Sequence, residues 1–412
     1  MLVRFRARLS LAYVRFLSEG IFWSLAEITK RLIKFIAYLV LLPAILILRF
    51  CGYRFLSINA SRIGHLAGEV DCFLKLQSLG LIDSRYKYIV FSNSRICNQV
   101  FWSYVKNRIH AIDSQSLCKL LELLTFGPGI NFDISSYILS INQPAKYYDV
   151  CRLWLDREPV FKLNKEHFDV GQNRLHEMGV PIGAEYVCIH VRSMGYCKED
   201  DGVHENRNFS NDSLVKSIND IVSRGLYCVV MGDQHTPKMS SSKGLINYAH
   251  SPFKSDLMDV FLCANAKFFL GNSSGLFILS TVFGVPCALC NMLPFVCTGF
   301  TSRDLSIPKL IKKLSGGSYL NYQEIIRENI ANFRNAKQYE KSGVMAVSNS
   351  EDDIYSLVFE MLDRLDGRLT SDEIMRDNKP FLEKLQPTHY SYGTSSYVSP
   401  SFIRKYAKVF EA

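Results

Sequence analysis

The residues best suited to chemistry lie in two stretches. Between Lys267 and Pro286, a short apolar run (268–270) enters a turn of small residues (271–275). An apolar segment (276–283) follows and ends at Gly284 and Pro286. Read as strand, turn and helix, it gathers Asn272, the hydroxyls of Ser273 and Ser274 and the amide of Gly275 at a helix N-terminus. Unpaired N–H groups and the helix dipole favour an anion there, and phosphate is the usual occupant. The other stretch, Tyr186-Val-Cys-Ile-His-Val-Arg192, predicts a strand that carries His190 and Arg192 on one side, two residues apart. Arg207 follows in a polar loop, and Asp233 stands just after another apolar run, 226–231. Each has a plainer reading. Arg192 could pair with a rim carboxylate, His190 could be a satisfied core histidine, and Arg207 a loop cation. Ser273 to Gly275 could be an ordinary tight turn, Asp233 a helix cap and Asp259 structural.

Other chemistries fit less well. Gly271-Asn-Ser-Ser-Gly275 also matches the nucleophile elbow of a serine hydrolase, with Ser273 as nucleophile. No His-Gly-Gly-Gly segment accompanies it, and the later His389 stands in a Ser/Tyr-rich tail expected to be mobile. The acidic run Glu199-Asp200-Asp201 reads as a solvated loop before a metal site. Cys287 and Cys290 fall on opposite faces of a predicted strand. The twelve cysteines therefore read as small buried thiols of a reducing compartment.

Strand and helix patterns alternate along the chain. Residues 55–59 predict a strand, Arg62-Ile-Gly-His-Leu66 a turn opening a helix to about Leu79, 88–91 a strand and 98–108 a helix. Region 111–180 predicts one helix, 114–124, and loops beyond it. From Val187 the expected order is strand 187–191, helix 211–224, strand 226–231, helix 256–264, the 267–283 unit and strand 286–290. Helices at 322–334, 350–364 and 371–384 complete it. Such alternation implies an α/β fold with parallel sheets covered on both faces. Two tandem units imply a cleft, with a ligand at the carboxyl ends of the strands.

The chain has 412 residues and a net charge of +9. Residues 1–54 hold nine Lys/Arg against Glu19 and Glu27, which is +7 and leaves +2 for the rest. That asymmetry excludes a uniformly basic nucleic-acid binder and suits an anionic membrane surface. The apolar run 35–48, with Lys34 and Arg49 at its ends and Pro43 inside, is short for a bilayer span. It predicts a segment lying in one leaflet, with residues 2–17 as an interfacial helix.

His190-Val-Arg192, Arg207-Asn208, the block from Asp259 to Leu276, Phe283-Gly-Val-Pro286 and Asn291-x-x-Pro294 resemble a family of bacterial glycosyltransferases from surface-polysaccharide gene clusters. That family also carries an Arg-Ile-Gly-His-Leu turn, here Arg62 to Leu66. The likeness spans about residues 55–365, and its His-x-Arg element is similar to one in fucosyltransferases. The chain departs from the pattern after Arg192, which Ser-Met-Gly-Tyr follows without an Asp, and at Leu214, where Tyr is usual. The resemblance implies a GT-B fold: two Rossmann-like domains at 55–180 and 181–310 with an interdomain cleft. To these are added a membrane-associated helical segment (1–54), C-terminal helices (311–385) and a flexible tail (386–412). It implies transfer of a sugar from a nucleotide sugar to a polysaccharide or lipid-linked glycan, on the cytoplasmic face of the membrane. Departure of a nucleoside diphosphate needs its charge stabilised. Arg192 and Arg207, with the cradle at Ser273 to Gly275, supply this without a metal cofactor. His190 orients Arg192, Asp233 meets ribose or base, and His65 or Glu69 serves as base for an acceptor hydroxyl. A non-catalytic nucleotide- or headgroup-binding membrane protein is the alternative.

Overall fold

The computed structural model describes residues 29, 32, 33, 36, 38–92, 94–125, 129–138, 145–155, 157–191, 211–296 and 298–411. The chain is mixed α/β and is built on two all-parallel sheets. Its residues group into two compact units. The first runs to Ser57 and includes Ser84–Asn93 and Ile109–Asp133, and the second comprises Ile58–Asp83, Ser94–Arg108 and Ile134–Ala412.

The first unit holds a four-stranded sheet of β1 (Tyr53–Ser57), β2 (Lys87–Phe91), β3 (His110–Ile112) and β4 (Asn131–Phe132), in the order β3-β2-β1-β4. Phe55 and Phe91 meet edge to face at 5.9 Å. Ile45, from a helical stretch at residues 38–50, and Leu121 and Leu124, from the Gln115–Leu124 helix, close the same core. The stretch leaves Val40, Ile47 and Phe50 exposed. Among the described residues no helix is long and apolar enough to cross a membrane. The predicted interfacial helix at 2–17 lies outside the described residues.

The second unit is wound around β5 (Tyr186–His190), β6 (Tyr227–Val230), β7 (Leu245–Ile246), β8 (Phe268–Gly271), β9 (Cys287–Met292) and β10 (Leu305–Pro308). An antiparallel ribbon of β11 (Leu310–Lys313) and β12 (Val344–Val347) follows, and β13 (Tyr397–Val398) returns to the main sheet. Its strand order is β13-β10-β9-β8-β5-β6-β7. From β5 the chain winds outward through β6 and β7. It then crosses back to β8 and winds the other way through β9 and β10. The reversal between β5 and β8 is a topological switch point, where α/β sheets open a crevice at the strands' carboxyl ends. The sequence reads as continuous apolar runs at these strands because both faces are covered: all four residues of β8 are buried. Burying each large side chain such as Phe268 or Leu270 contributes roughly 1.5–3 kcal/mol.

Three expectations fail, one being the helix expected at 322–334, which ends at Arg327 before Asn329 takes a φ of 56°. Beyond the 115–124 helix the chain is not loop-rich: Lys146–Trp154 and Lys165–Glu177 are helices. The first is hidden by its aromatic, β-prone start, yet it buries Tyr147, Tyr148, Val150 and Cys151. The second starts at Asn164, whose side chain caps the His167 N–H. The Ser/Tyr-rich end is no mobile tail. Tyr397 and Val398 pair with β10, and Phe402 and Phe410 are buried beside Phe381 and Phe295. His389 is in the core: Nδ1 accepts the Ser391 N–H at 3.1 Å and Nε2 reaches the Phe295 carbonyl at 2.9 Å. Its serines are buried through hydrogen bonds to the body, such as Ser396 to the Asp304 carbonyl and Ser399 to Glu360. Hydroxyl content alone reads as solvent-facing.

Candidate functional site

A cavity of about 320 Å³ opens at the switch point. His190 and Val191 border it from β5, Gly232 and Asp233 from beyond β6, Ser273 and Ser274 from beyond β8, and Leu293 and Pro294 from beyond β9. All of its lining residues belong to the second unit. The expected cleft thus takes its walls from one compact body, because the Ile63–Ser78 helix packs within that unit, against the Gly275–Val282 helix.

Two helix N-termini meet at the cavity floor. The Ile63–Ser78 helix starts after Arg62, and the Gly275–Val282 helix starts after Ser274. They touch backbone to backbone. A Cβ on Gly64 would lie 2.8 Å from the Gly275 Cα, and one on Gly275 would lie 2.9 Å from the Gly64 nitrogen. Neither N-cap residue caps its helix with a side chain, as is also true at Ala145 and Leu214, whereas Asn98, Asn164, Ser255 and Ser350 cap theirs. The first N–H groups of a helix have no intrahelical acceptor. Two positive dipole ends therefore face one space. Ser274 is 9% exposed, and its Oγ is a buried hydroxyl with no hydrogen-bond partner among the described residues. The arrangement has the chemistry of an anion site: converging N–H donors, a spare hydroxyl and close-approach glycines.

His65 lies on the first turn of the Ile63–Ser78 helix and lines the cavity. Its Nδ1 is 2.7 Å from Glu69 Oε1, one turn on. Glu69 is fully buried, and its other oxygen accepts the Asn59 N–H at 3.1 Å. An ionised Glu69 accepts from Nδ1–H, which leaves Nε2 as the basic atom of the ring. The i, i+4 spacing on one helix face makes this contact. Glu69, offered from the sequence as a candidate base itself, has both oxygens engaged and is placed to orient His65.

Asp233 borders the cavity in a turn. Its Oδ1 accepts the His235 N–H at 2.9 Å and its own N–H donates to Thr236 Oγ1 at 3.1 Å. Gly232 is required there by its φ of +143 and because a Cβ would meet Thr236 Oγ1 at 2.0 Å. Asp259, at the start of the Asp256–Asn265 helix, accepts from Tyr248 Oη at 2.8 Å and pairs with Lys254. Burial holds its carboxyl above the ordinary carboxylate range, and Lys254 works against that rise. Asn98 anchors this helix by donating to the Asp256 carbonyl at 3.0 Å.

His65, His190, Asp233, Ser273, Ser274 and Gly275 are therefore brought to one cavity. Asn272 is buried beside them. Arg192, Arg207 and the 199–201 acidic run lie outside the described residues. Sequence reasoning missed Arg62, Lys254 and Arg334, three cations of the lining, and the aromatic side chains of Tyr148 and Tyr390. Arg62 sits inside the Arg-Ile-Gly-His-Leu turn and could have been found there. Arg334 and Tyr390 carry no local pattern.

No protein-family model matches the sequence, and no curated protein matches it. Among solved structures, the chain is similar to the ADP-heptose lipopolysaccharide heptosyltransferase II of E. coli, at 11% identity and a TM-score of 0.38, over 57% of this chain and 83% of that one. It is similar to TibC, a dodecameric iron-containing heptosyltransferase solved with ADP-D-beta-D-heptose, at 17% identity and a TM-score of 0.41, over 77% of each chain. It is also similar to the UDP-GlcNAc 2-epimerase of Methanocaldococcus jannaschii, at 11% identity and a TM-score of 0.28, over 62% of this chain and 88% of that one. These scores are too low to assign the chain a fold family or an activity. What its own strands establish is a mixed α/β protein with parallel sheets.

Proposed function

We propose that the protein is a glycosyltransferase of GT-B type that moves a sugar from a nucleoside diphosphate sugar to a glycan or lipid-linked glycan. One observation carries this reading: two side-chain-uncapped helix N-termini touch through Gly64 and Gly275 beside the His65–Glu69 pair. The helix ends and the buried Ser274 hydroxyl hold the diphosphate, with the lining cations Arg62 and Lys254 nearby. Arg192 and Arg207 supply further positive charge, as the family resemblance implies. Asp233 receives a ribose hydroxyl, following the position of the acidic residue after the second strand of a dinucleotide-binding sheet. These fixed charges balance the leaving group without a metal ion.

The acceptor hydroxyl gives its proton to His65 Nε2 and its oxygen bonds the anomeric carbon. The bond from that carbon to the phosphate oxygen breaks, and its electron pair leaves with the diphosphate. Glu69 stabilises the imidazolium that forms. A membrane location on the cytoplasmic face agrees with the basic N-terminal sequence and with the exposed Val40, Ile47 and Phe50.

A thermal-shift screen with GDP, UDP, CMP and dTDP tests the binding half, since a ligand of the folded state raises Tm. His65→Ala tests the chemical half. It should lower turnover about 10²- to 10⁴-fold while the best nucleotide still raises Tm. Unchanged turnover in that variant, or no shift with any nucleotide, contradicts the reading.

A further inference from the structure

The first unit carries an apolar surface that its own core does not use. In the helical stretch at residues 38–50 every exposed residue is apolar, from Leu39 to Phe50. Val40, Pro43, Ile47 and Phe50 follow at three- and four-residue steps and so form one stripe. Val40 is 73%, Ile47 62% and Phe50 94% exposed. The opposite side holds the fold, with Ile45 in the core and Tyr38, Leu41 and Leu48 packed against it. The Gln115–Leu124 helix packs on the same core through Cys118, Leu121 and Leu124, and it leaves Leu117 and Leu120 exposed. A helix at the surface of a globular protein turns polar residues to water, and an exposed apolar patch of this kind marks a contact.

Charge indicates what covers it. Residues 38–57 and 83–92 hold Arg49, Arg54, Arg85 and Lys87 against Asp83 alone, and on the second helix Lys119 and Glu122 cancel. Two of the cations lie against tyrosines just beyond Phe50. The Arg54 guanidinium is 3.7 Å from the centre of the Tyr86 ring, and Lys87 Nζ is 5.5 Å from that of Tyr53. The Gly52 carbonyl ties this corner together by accepting the Lys87 N–H at 2.8 Å. An apolar stripe that ends in cations and tyrosines suits a bilayer interface, where acyl chains take the stripe and phosphate headgroups meet the cations. A second copy of this chain would instead set the same cations against each other. We infer that the first unit docks on one leaflet of an anionic bilayer through both helices, with the Arg54 and Lys87 corner at the headgroups. From 38 to 50 the helix rises about 20 Å, short of the roughly 30 Å hydrocarbon core, so it lies along the leaflet. This gives the proposed membrane location a defined surface, and it stands whether or not the protein is a transferase.

The experiment sediments the full chain, without nucleotide, with vesicles of phosphatidylcholine alone or mixed with phosphatidylglycerol. Binding should be at least about tenfold stronger to the anionic vesicles and should weaken as salt is added. Ile47→Asp with Phe50→Asp, and separately Leu117→Asp with Leu120→Asp, should each lower the partition coefficient about tenfold or more. All four side chains are exposed, so the Tm should hold. Arg54→Gln with Lys87→Gln should lower binding to the anionic vesicles and leave binding to phosphatidylcholine unchanged. Met345→Asp, at an exposed apolar residue of the second unit, should leave both unchanged. Full vesicle binding by either aspartate pair overturns the inference. So does a lipid-free dimer in light scattering that an aspartate pair dissociates, which would make this face a contact between copies.

Discussion

At the scale of the residue, the chain separates histidines that can work from histidines that hold it together. His65 keeps one nitrogen on Glu69 and borders the cavity, whereas His389 is 1% exposed with both nitrogens engaged. Burial lowers the His389 pKa from 6.5 to about 4, against the pull of its hydrogen bond to Phe295. The unfolded chain takes this proton first as the pH falls. The stabilisation is thus complete above pH 6.5 and is lost progressively as the pH falls towards 4. The loss should reach on the order of 3 kcal/mol for a shift of that size. His389→Gln should flatten this part of a Tm-versus-pH curve measured from pH 7 to 4.5, and an unchanged slope would show that other groups set it. His65 and Glu69 were legible in the sequence because i, i+4 neighbours meet on any helix. Arg334 and Tyr390 were not, because only the fold brings residues so far apart to one wall.

The elements explain why the anion site can exist. Gly64 and Gly68 lie one turn apart on the Ile63–Ser78 helix and let it approach the Gly275–Val282 helix closely. Their surroundings differ. An added Cβ at Gly64 would press on backbone, the Gly275 Cα at 2.8 Å, while at Gly68 it would meet the movable Ile278 side chain at 3.1 Å. Gly64→Ala should cost about 1–3 kcal/mol of stability and abolish the nucleotide-dependent rise in Tm. Gly68→Ala should keep most of both. Equal behaviour of the two in parallel melts would remove the close approach from the account. The strand–turn–helix at 267–283 was legible because its apolar run, small residues and terminating Gly284 and Pro286 are local features. The partner helix end was visible only as a turn. That the two ends touch depends on the crossover from β7 to β8, which no local pattern encodes.

For the whole molecule, the expected alternation of strands and helices was right in kind, and the packing decided how segments group. The Ile63–Ser78 and Gln99–Lys106 helices cluster with the second unit, while the strands on either side of them build the first sheet. The C-terminal segment completes the second unit through β13, Phe402 and Phe410, and it supplies Tyr390 to the cavity. A chain ending at residue 385 should lose its cooperative melting transition in circular dichroism. A truncated chain with the full Tm would mean the segment is dispensable. The account's central claim is that two helix ends jointly cradle a diphosphate. A crystal structure with the best-binding nucleoside diphosphate tests it most directly. Phosphate oxygens should accept hydrogen bonds from backbone N–H groups at Gly64 and Gly275 and from Ser274 Oγ, at the 2.7–3.2 Å usual for such bonds. A diphosphate bound elsewhere, with those donors turned away from it, would contradict the claim.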